Sequence, residues 1–383
     1  MHEGTPRIAK DAVWVAPRPR EIKVVCPSDL KGTLEKVLSD HNICSKEAII
    51  RRYDHEVQGA SVVKPLAGPA CDGPSDASVL APRLGSSLGF AVSNGINPRL
   101  GALDPYWMAA SAVDEAVRQL VVVGADLDRI ALLDNFCWGN PDKPDRLGGL
   151  VRAAKGCHDF SVAYRAPFIS GKDSFYNEYT DKGRSIAIPG TILISAIGIV
   201  QDVTKCVTMD LKRPGDRIYS VGMTYDEWGG SAYLASRRLS GGRVPVVRPV
   251  EAMRTFRALS KAIARGLVSA AHDCSEGGLA VALAEMAFAG GYGASLILSS
   301  VPYEGMMPRN DMLLFSESNS RFLVTVSPED QKAFERLMHS IPCRLVGQVM
   351  EGQDIFVYGL KEELCLKANI DELKAAWKKP LQF

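Results

Sequence analysis

Arg129-Ile-Ala-Leu-Leu-Asp-Asn-Phe-Cys-Trp-Gly-Asn-Pro-Asp-Lys-Pro144 is the stretch on which the architecture turns. Arg129 to Leu133 reads as a buried strand that ends at Asp134, where Gly, Asn and Pro take over and mark a loop. Leu147 to Cys157 then has helical spacing, and Pro167 to Ser170 reads as a short second strand running into Gly171. Strand, loop, helix and strand in succession are the alternation of an α/β or α+β fold. Outward from this unit the pattern repeats. Upstream, Leu88 to Val92 reads as a strand, and residues 105–123 form a helix on which Trp107, Ala110, Val113, Val117 and Leu120 keep helical spacing. Downstream, Thr191 to Val200 is a β-rich run that closes the unit.

A second unit begins near Val203. Arg217 to Val221, Phe322 to Val326 and Asp354 to Tyr358 read as strands, and Val250 to Ala264 and Leu279 to Ala289 as helices. At the other end, Pro6, Pro17 and Pro19 break any early helix. Leu30, Leu34 and Leu38 mark an amphipathic stretch, and Ser45 is a candidate N-cap. A chain of 383 residues suits two domains at roughly 100–200 residues each. Its net charge of +1 gives no global field toward nucleic acid or membrane. No apolar run reaches the ~18 residues of a membrane span. The nine cysteines include no C-x-x-C pair, which argues against a disulfide framework or a zinc site and fits a reducing cytoplasm.

Four polar constellations could carry chemistry. Asp134 sits where an apolar strand gives way to a loop, the place where α/β folds put ligand-binding groups. Its carboxylate can hold magnesium or a nucleotide hydroxyl, or simply cap a turn. In Ile169-Ser-Gly-Lys-Asp-Ser-Phe-Tyr-Asn-Glu178, Ser170 and Gly171 let backbone approach a phosphate, Lys172 supplies a cation and Asp173 an oxygen ligand for magnesium. The alternative is a polar surface turn. In Ala271-His-Asp-Cys-Ser-Glu-Gly-Gly-Leu-Ala280 a glycine pair opens an apolar helix, with Ser275 or Asp273 as caps; a structural turn is favoured over proton chemistry by His272 and Asp273. In Phe315-Ser-Glu-Ser-Asn-Ser-Arg321, Glu317 and Arg321 either pair with each other or face a polar substrate.

Together these strings resemble the synthetase subunit of the phosphoribosylformylglycinamidine synthase family. Tyr53-Asp-His-Glu-Val-Gln-Gly59, Gly139-Asn-Pro-Asp-Lys-Pro144, Ser170 to Glu178, His272 to Leu279 and Glu317 to Arg321 stand in that family's order, over roughly residues 30–383. The first two motifs are not shared with aminoimidazole ribonucleotide synthetase or selenophosphate synthetase. The family's subunit has two homologous halves, and this chain resembles the second, beginning in the connector. The resemblance implies a connector over 1–40, an aminoimidazole ribonucleotide synthetase-like half-barrel domain over 41–205 that binds ATP, and an α/β/α domain over 206–383. It implies a cytoplasmic ligase of purine biosynthesis. ATP activates the formamide oxygen of formylglycinamide ribonucleotide, and glutamine-derived ammonia displaces phosphate to give the amidine.

Carried over position by position, Asp134 and Gly171 resemble ATP contacts and Ser174 a substrate contact. Lys172 stands where the family's small form has a magnesium-binding asparagine; large forms read G-K-D-S, so Lys172 is assigned to ATP and Asp173 to magnesium. The first half of the family carries K-x-E-x-H-N-H-P-S, with the ATP lysine, a metal glutamate and the general-base histidine. The matching positions here are Ala91, Ser93 and Gly95, none of which can do that chemistry. The isolated chain is therefore expected to be inactive. The implied partners are a first half of the synthetase and a separate glutaminase, or a second copy in a homodimer; no nucleic acid or membrane partner is implied. The alternatives are a non-catalytic nucleotide-binding scaffold or another ATP-dependent enzyme of the superfamily.

Overall fold

Thr191–Val200 alternates half-exposed and buried along all ten residues, so one face of its sheet is covered and the other is not. The computed structural model describes residues 9–17, 22, 24–305 and 308–382; Pro6 and Pro19 fall outside them. The first unit contributes strands β1 (Ser61–Val63), β2 (Ser78–Leu80), β3 (Gly89–Ile96), β4 (Ile130–Cys137), β5 (Phe168–Ser174), β6 (Glu178–Asp181), β7 (Arg184–Ala187) and β8 (Thr191–Val200). Its helices are α1 (Leu30–Leu38), α2 (Glu47–Ile50), α3 (Pro98–Gly101), α4 (Pro105–Val122) and α5 (Pro144–Tyr164). Six strands form an open sheet in the order β1-β2-β3-β8-β4-β5, and β6 with β7 makes a separate hairpin. Only β4 and β5 run parallel; the other neighbours are antiparallel. No barrel closes, as expected of a half-barrel domain.

α4 starts cleanly because the Asp104 carboxylate accepts the Tyr106 N–H and Pro105 fills the first helical position. It lies under β3 and β8 beside α5. Its residues are buried almost throughout, since it also touches the second unit. The covered face of the sheet comprises Ala91, Ser93, Gly95, Ile192, Ile194, Ala196 and Leu132, and the open face includes Val92, Ile96, Leu193, Ile197 and Leu133.

The second unit holds β9 (Arg217–Val221), β10 (Thr224–Tyr225), β11 (Ala270–Asp273), β12 (Gly293–Ile297), β13 (Tyr303–Glu304), β14 (Phe322–Val326), β15 (Cys343–Met350), β16 (Asp354–Tyr358) and β17 (Leu364–Asn369). Its helices are α6 (Ala232–Ser236), α7 (Pro249–Ala264), α8 (Gly278–Gly290), α9 (Asn310–Phe315), α10 (Gln331–Met338) and α11 (Ile370–Lys378). A seven-stranded sheet runs β11-β14-β9-β15-β12-β16-β17. Every residue of β14 is buried, because helices lie on both faces. On one side Phe256, Leu259, Phe334 and Met338 pack against Tyr219, Val221, Phe322 and Val324, in a core continuous with that of the first sheet. On the other side α8, α9 and α11 pack over Ile218, Ala270, Leu296 and Leu323. That is the α/β/α arrangement. α1 also packs on this side, against α11, α6 and α8.

Several elements run past their expected ends: β3 continues to Ile96 rather than Val92, and β4 to Cys137 rather than ending at Asp134, because both are held in the ladder to β8. α5 begins at Pro144 and ends at Tyr164, because Pro144 serves as its first residue and Arg165 in the left-handed region stops it. β5 continues from Phe168 through Ser174, so Ser170-Gly-Lys-Asp is an edge strand rather than a loop or turn. Those residues are polar and mostly exposed, so only their ladder to β4 makes them a strand.

Candidate functional site

The parallel ladder sets Asp134 beside Gly171, Asn135 beside Lys172, Phe136 beside Asp173 and Cys137 beside Ser174. Residues paired in register project to the same side of a sheet, and successive residues alternate. Asp134 also pairs with buried Ile194 on β8, so it points toward the helix-covered face. Gly171 and Asp173 share that face, whereas Lys172 and Ser174 project from the open one. The five residues thus converge on one edge of the sheet but divide between its two sides. β5 is the outermost strand, so a ligand lying across it reaches both.

Gly171 has a steric reason to be glycine. A β-carbon there would come within 2.4 Å of Asp134 Oδ1 and 2.8 Å of its Cγ. The bare backbone therefore seats the Asp134 carboxylate. Partial burial raises the Asp134 pKa, and the Asp173 carboxylate adds to the rise. Burial, helped by the Asp134 carboxylate, pushes the Cys157 thiol on α5 up to about 12. Among the described residues no ion pair engages Asp134, Lys172 or Asp173. Two acidic oxygen donors on one face with no protein cation between them suit a hard divalent ion such as magnesium.

The far end of the strand pair is tied down. Ser174 Oγ lies 3.3 Å from Asn177 Oδ1 and 3.1 Å from Asn177 Nδ2. Trp138 N–H donates to Ser174 O at 2.8 Å. Glu178 accepts from Asn140 N at 2.8 Å, Lys143 Nζ at 2.6 Å and Arg146 Nε at 2.6 Å, and also from Ser185 Oγ. Lys143 first, then Ser185 and the Asn140 amide, draw the Glu178 carboxyl down to about 2. The loop of Gly139 to Pro144 is thus braced by the glutamate that ends the second constellation.

Ala91, Ser93 and Gly95 lie on the covered face. Ser93 Oγ donates to Ala116 O at 2.6 Å, and a β-carbon on Gly95 would come 2.2 Å from Ala112 O. α4 leaves no room there for a lysine, glutamate or histidine. The other two constellations do not join this edge. His272 and Asp273 lie on β11 in the core between the sheets, and α8 is preceded by Gly277 with no side-chain cap from Asp273 or Ser275. Glu317 supplies that bond instead, accepting from Gly277 N at 2.7 Å and from Ala232 N at 2.8 Å. Arg321 donates to Ser318 O, Thr224 Oγ1 and Ser316 O, so it does not pair with Glu317. Glu317 is engaged by backbone amides of two distant segments, and Arg321 by two nearby carbonyls and the Thr224 hydroxyl. The chain pattern missed the partners of His272 and Asp273, namely Asp76, Arg118 and Glu285, with Asp114 bound to Arg118 in turn. A signal was present: three charges, Asp114, Glu115 and Arg118, interrupt an otherwise apolar helix. A cavity of about 1010 Å³ in the second unit is lined by Tyr219, Tyr303, Glu335, His339 and Arg344 and does not include Asp134 or Gly171.

Comparison with known proteins places both units. Residues 74–200 match the N-terminal domain of AIR synthase related proteins, and residues 213–359 match the C-terminal domain. Phosphoribosylformylglycinamidine synthase subunit PurL of Deinococcus radiodurans is 36% identical over 374 residues, which is 96% of this chain and 48% of the relative. The PurL subunit of Alkaliphilus metalliredigens is 38% identical over 93% of this chain and 46% of its own length. The chain spans about half the length of the relatives it matches. Among solved structures, Thermotoga maritima PurL complexed with FGAR superposes with a TM-score of 0.71 at 20% identity, over 91% of this chain and 54% of that one. A HypE–HypF complex reaches 0.58 at 15% identity, over 85% of this chain and 97% of that one. The chain belongs to the AIR synthase related proteins, carrying their two domains in order, and is related to the PurL subunits along about half of their length.

Proposed function

We propose that this chain is the second half of an ATP-dependent ligase that converts formylglycinamide ribonucleotide to formylglycinamidine ribonucleotide. Asp134, Gly171 and Lys172 contact ATP, Asp173 binds magnesium and Ser174 contacts substrate. The observation that carries the reading is the Asp134–Gly171 pair, in which a residue without a β-carbon makes room, beside the edge strand, for an acid that no ion pair engages among the described residues. The PurL names of the relatives support the reaction, and nucleotide complexes of the T. maritima protein support the ligand. Magnesium at Asp173 would offset charge on the transferring phosphoryl group. The division into 1–40, 41–205 and 206–383, the cytoplasmic setting and an ammonia-supplying glutaminase belong to the same proposal; a solved PurLQS complex of T. maritima is in keeping with the last.

The first half completes the site. Its natural seat is the open face of the first sheet, where Val92, Ile96 and the edge residue Ile169 are exposed. In its absence a second copy is the simplest cover, because a two-fold pairing lets one patch satisfy itself. Light scattering should then give about twice 41.5 kDa on dilution. The deciding assay is turnover with ATP, ammonia and formylglycinamide ribonucleotide. The isolated chain is expected to show none, and a chain carrying the missing half to restore it in a Ser174-dependent way. Turnover by the isolated chain, lost on Ser174→Ala, would overturn the half-site reading.

A second reading, a nucleotide-holding scaffold without turnover, is favoured by the packing of Ala91, Ser93 and Gly95 against α4.

A further inference from the structure

Asp76, His272 and Asp273 bring one ligand atom each to within 4.8 Å of one another, a spacing that a metal ion would accept. The hydrogen bonds argue against one. His272 Nδ1 lies 2.8 Å from Asp76 Oδ1, and its Nε2 lies 3.0 Å from Glu285 Oε2. Between two ionised carboxylates, which only accept, both ring nitrogens carry protons and the ring has no lone pair for a metal. Asp76 Oδ1 also accepts the Asp273 N–H at 3.0 Å. Asp273 Oδ2 accepts Arg118 Nε at 2.7 Å and the Ser275 hydroxyl.

Arg118 fills the rest of the joint. Its Nη1 donates to Asp114 Oδ2 at 2.8 Å and its Nη2 to Ser275 Oγ at 2.7 Å. Asp114 in turn accepts from Ser320 N at 2.9 Å, from Ser320 Oγ at 2.7 Å and from the Tyr164 hydroxyl. Arg118 is 2% exposed and Asp114 fully buried. The donors and acceptors come from both units: the segment before β2, α4 and α5 from the first, and β11, α8 and the loop before β14 from the second. A buried acid holds its charge only beside a cation or a metal. Here both cations are side chains.

We propose that Arg118 and His272 are resident cations which take the place of a divalent ion between the two sheets, so that the units lock together without any bound metal. The clasp stands independently of the nucleotide reading. It makes the angle between the sheets a property of the chain itself, fixed before any ligand arrives. It also assigns to Arg118 the masking of a latent metal pocket: with the guanidinium gone, Asp114 loses its only cation among the described residues and Asp273 keeps only His272, at 3.9 Å.

The test uses the full chain carrying Asp173→Asn, which removes the outer metal ligand proposed above and leaves the joint as the responder. Free manganese is followed by electron paramagnetic resonance alongside thermal unfolding. With Arg118 present, manganese is expected to stay free, and neither manganese nor a chelator moves the midpoint. Adding Arg118→Met is expected to lower the midpoint by roughly 10 °C and to create a manganese-dependent recovery. Arg118→Lys keeps a charge; it is expected to fold with a smaller loss and to ignore manganese. Manganese uptake at the joint with Arg118 or the lysine in place overturns the proposal. So does an Arg118→Met chain that is as stable as its parent or that gains no response to manganese. Should Arg118→Met not fold with or without manganese, the lysine chain decides: indifference to the ion upholds the clasp, and uptake rejects it.

Discussion

Two groups of aspartates in this chain are held in opposite ways. At the β4–β5 edge, Asp134 and Asp173 share a face with no protein cation between them, and Gly171 withholds a side chain so that Asp134 has room. At the joint between the sheets, Asp76, Asp114 and Asp273 are enclosed and answered by Arg118 and His272. The residue type is the same; what differs is whether the protein supplies the counter-charge. An acid left unanswered near solvent is open to a ligand, and an acid answered in the core is structural. The comparison also separates the two sheets. The first has an open face, and the second is covered on both sides.

The sharpest way to break the contrast is to delete one acid from each group. Asp114→Ala leaves Arg118 short of a buried partner and is expected to lower stability by about 3–5 kcal/mol. Asp134→Ala, at the edge, should change stability by no more than about 0.5 kcal/mol. Denaturant unfolding of the pair measures both, and equal losses would erase the distinction.

A smaller effect comes from two acids of the joint's surroundings. Burial raises Glu317 and Glu115 to about 8. Each is a carboxyl whose folded value lies above its unfolded one, so the native state holds the extra protons. The stability they permit is full below about pH 4.5 and declines as pH rises to about 8. Glu317→Gln, which keeps an acceptor for Gly277 and Ala232, should therefore stabilise the chain at pH 9 by roughly 1–3 kcal/mol and leave it unchanged at pH 4. A flat difference across that range would contradict a neutral Glu317. Smaller still, Gly171→Ala should leave folding nearly intact while displacing the Asp134 carboxylate, weakening nucleotide binding about tenfold, or ~1.4 kcal/mol. Added to Asp134→Ala it should do no further harm, since both act on one contact.

Much of the architecture is legible in the chain. Thr191–Val200, Arg217–Val221, Phe322–Val326 and Asp354–Tyr358 have the bounds that their apolar patterns predict, because burial alone defines those strands. Ser170–Ser174 was not legible as a strand. It is polar, and a ladder to residues far away in sequence makes it one. The same ladder brings Asp134 and Gly171 together, a closeness that family resemblance suggested and that local pattern could not supply. The Arg118 clasp was invisible for a related reason. Its Asp273 contact crosses 155 positions, and the sequence around His272 reads as an ordinary turn until Asp76 and Glu285 are set against its ring.

The central claim is that the β4–β5 edge holds a nucleotide. The most direct measurement is calorimetric titration of the wild-type chain and of Asp134→Ala with ATP and magnesium at high protein concentration. Weak binding is expected for the wild-type chain, and binding about tenfold or more weaker for the variant. A wild-type chain that takes up no nucleotide, or a variant that binds as well as the wild type, would contradict it.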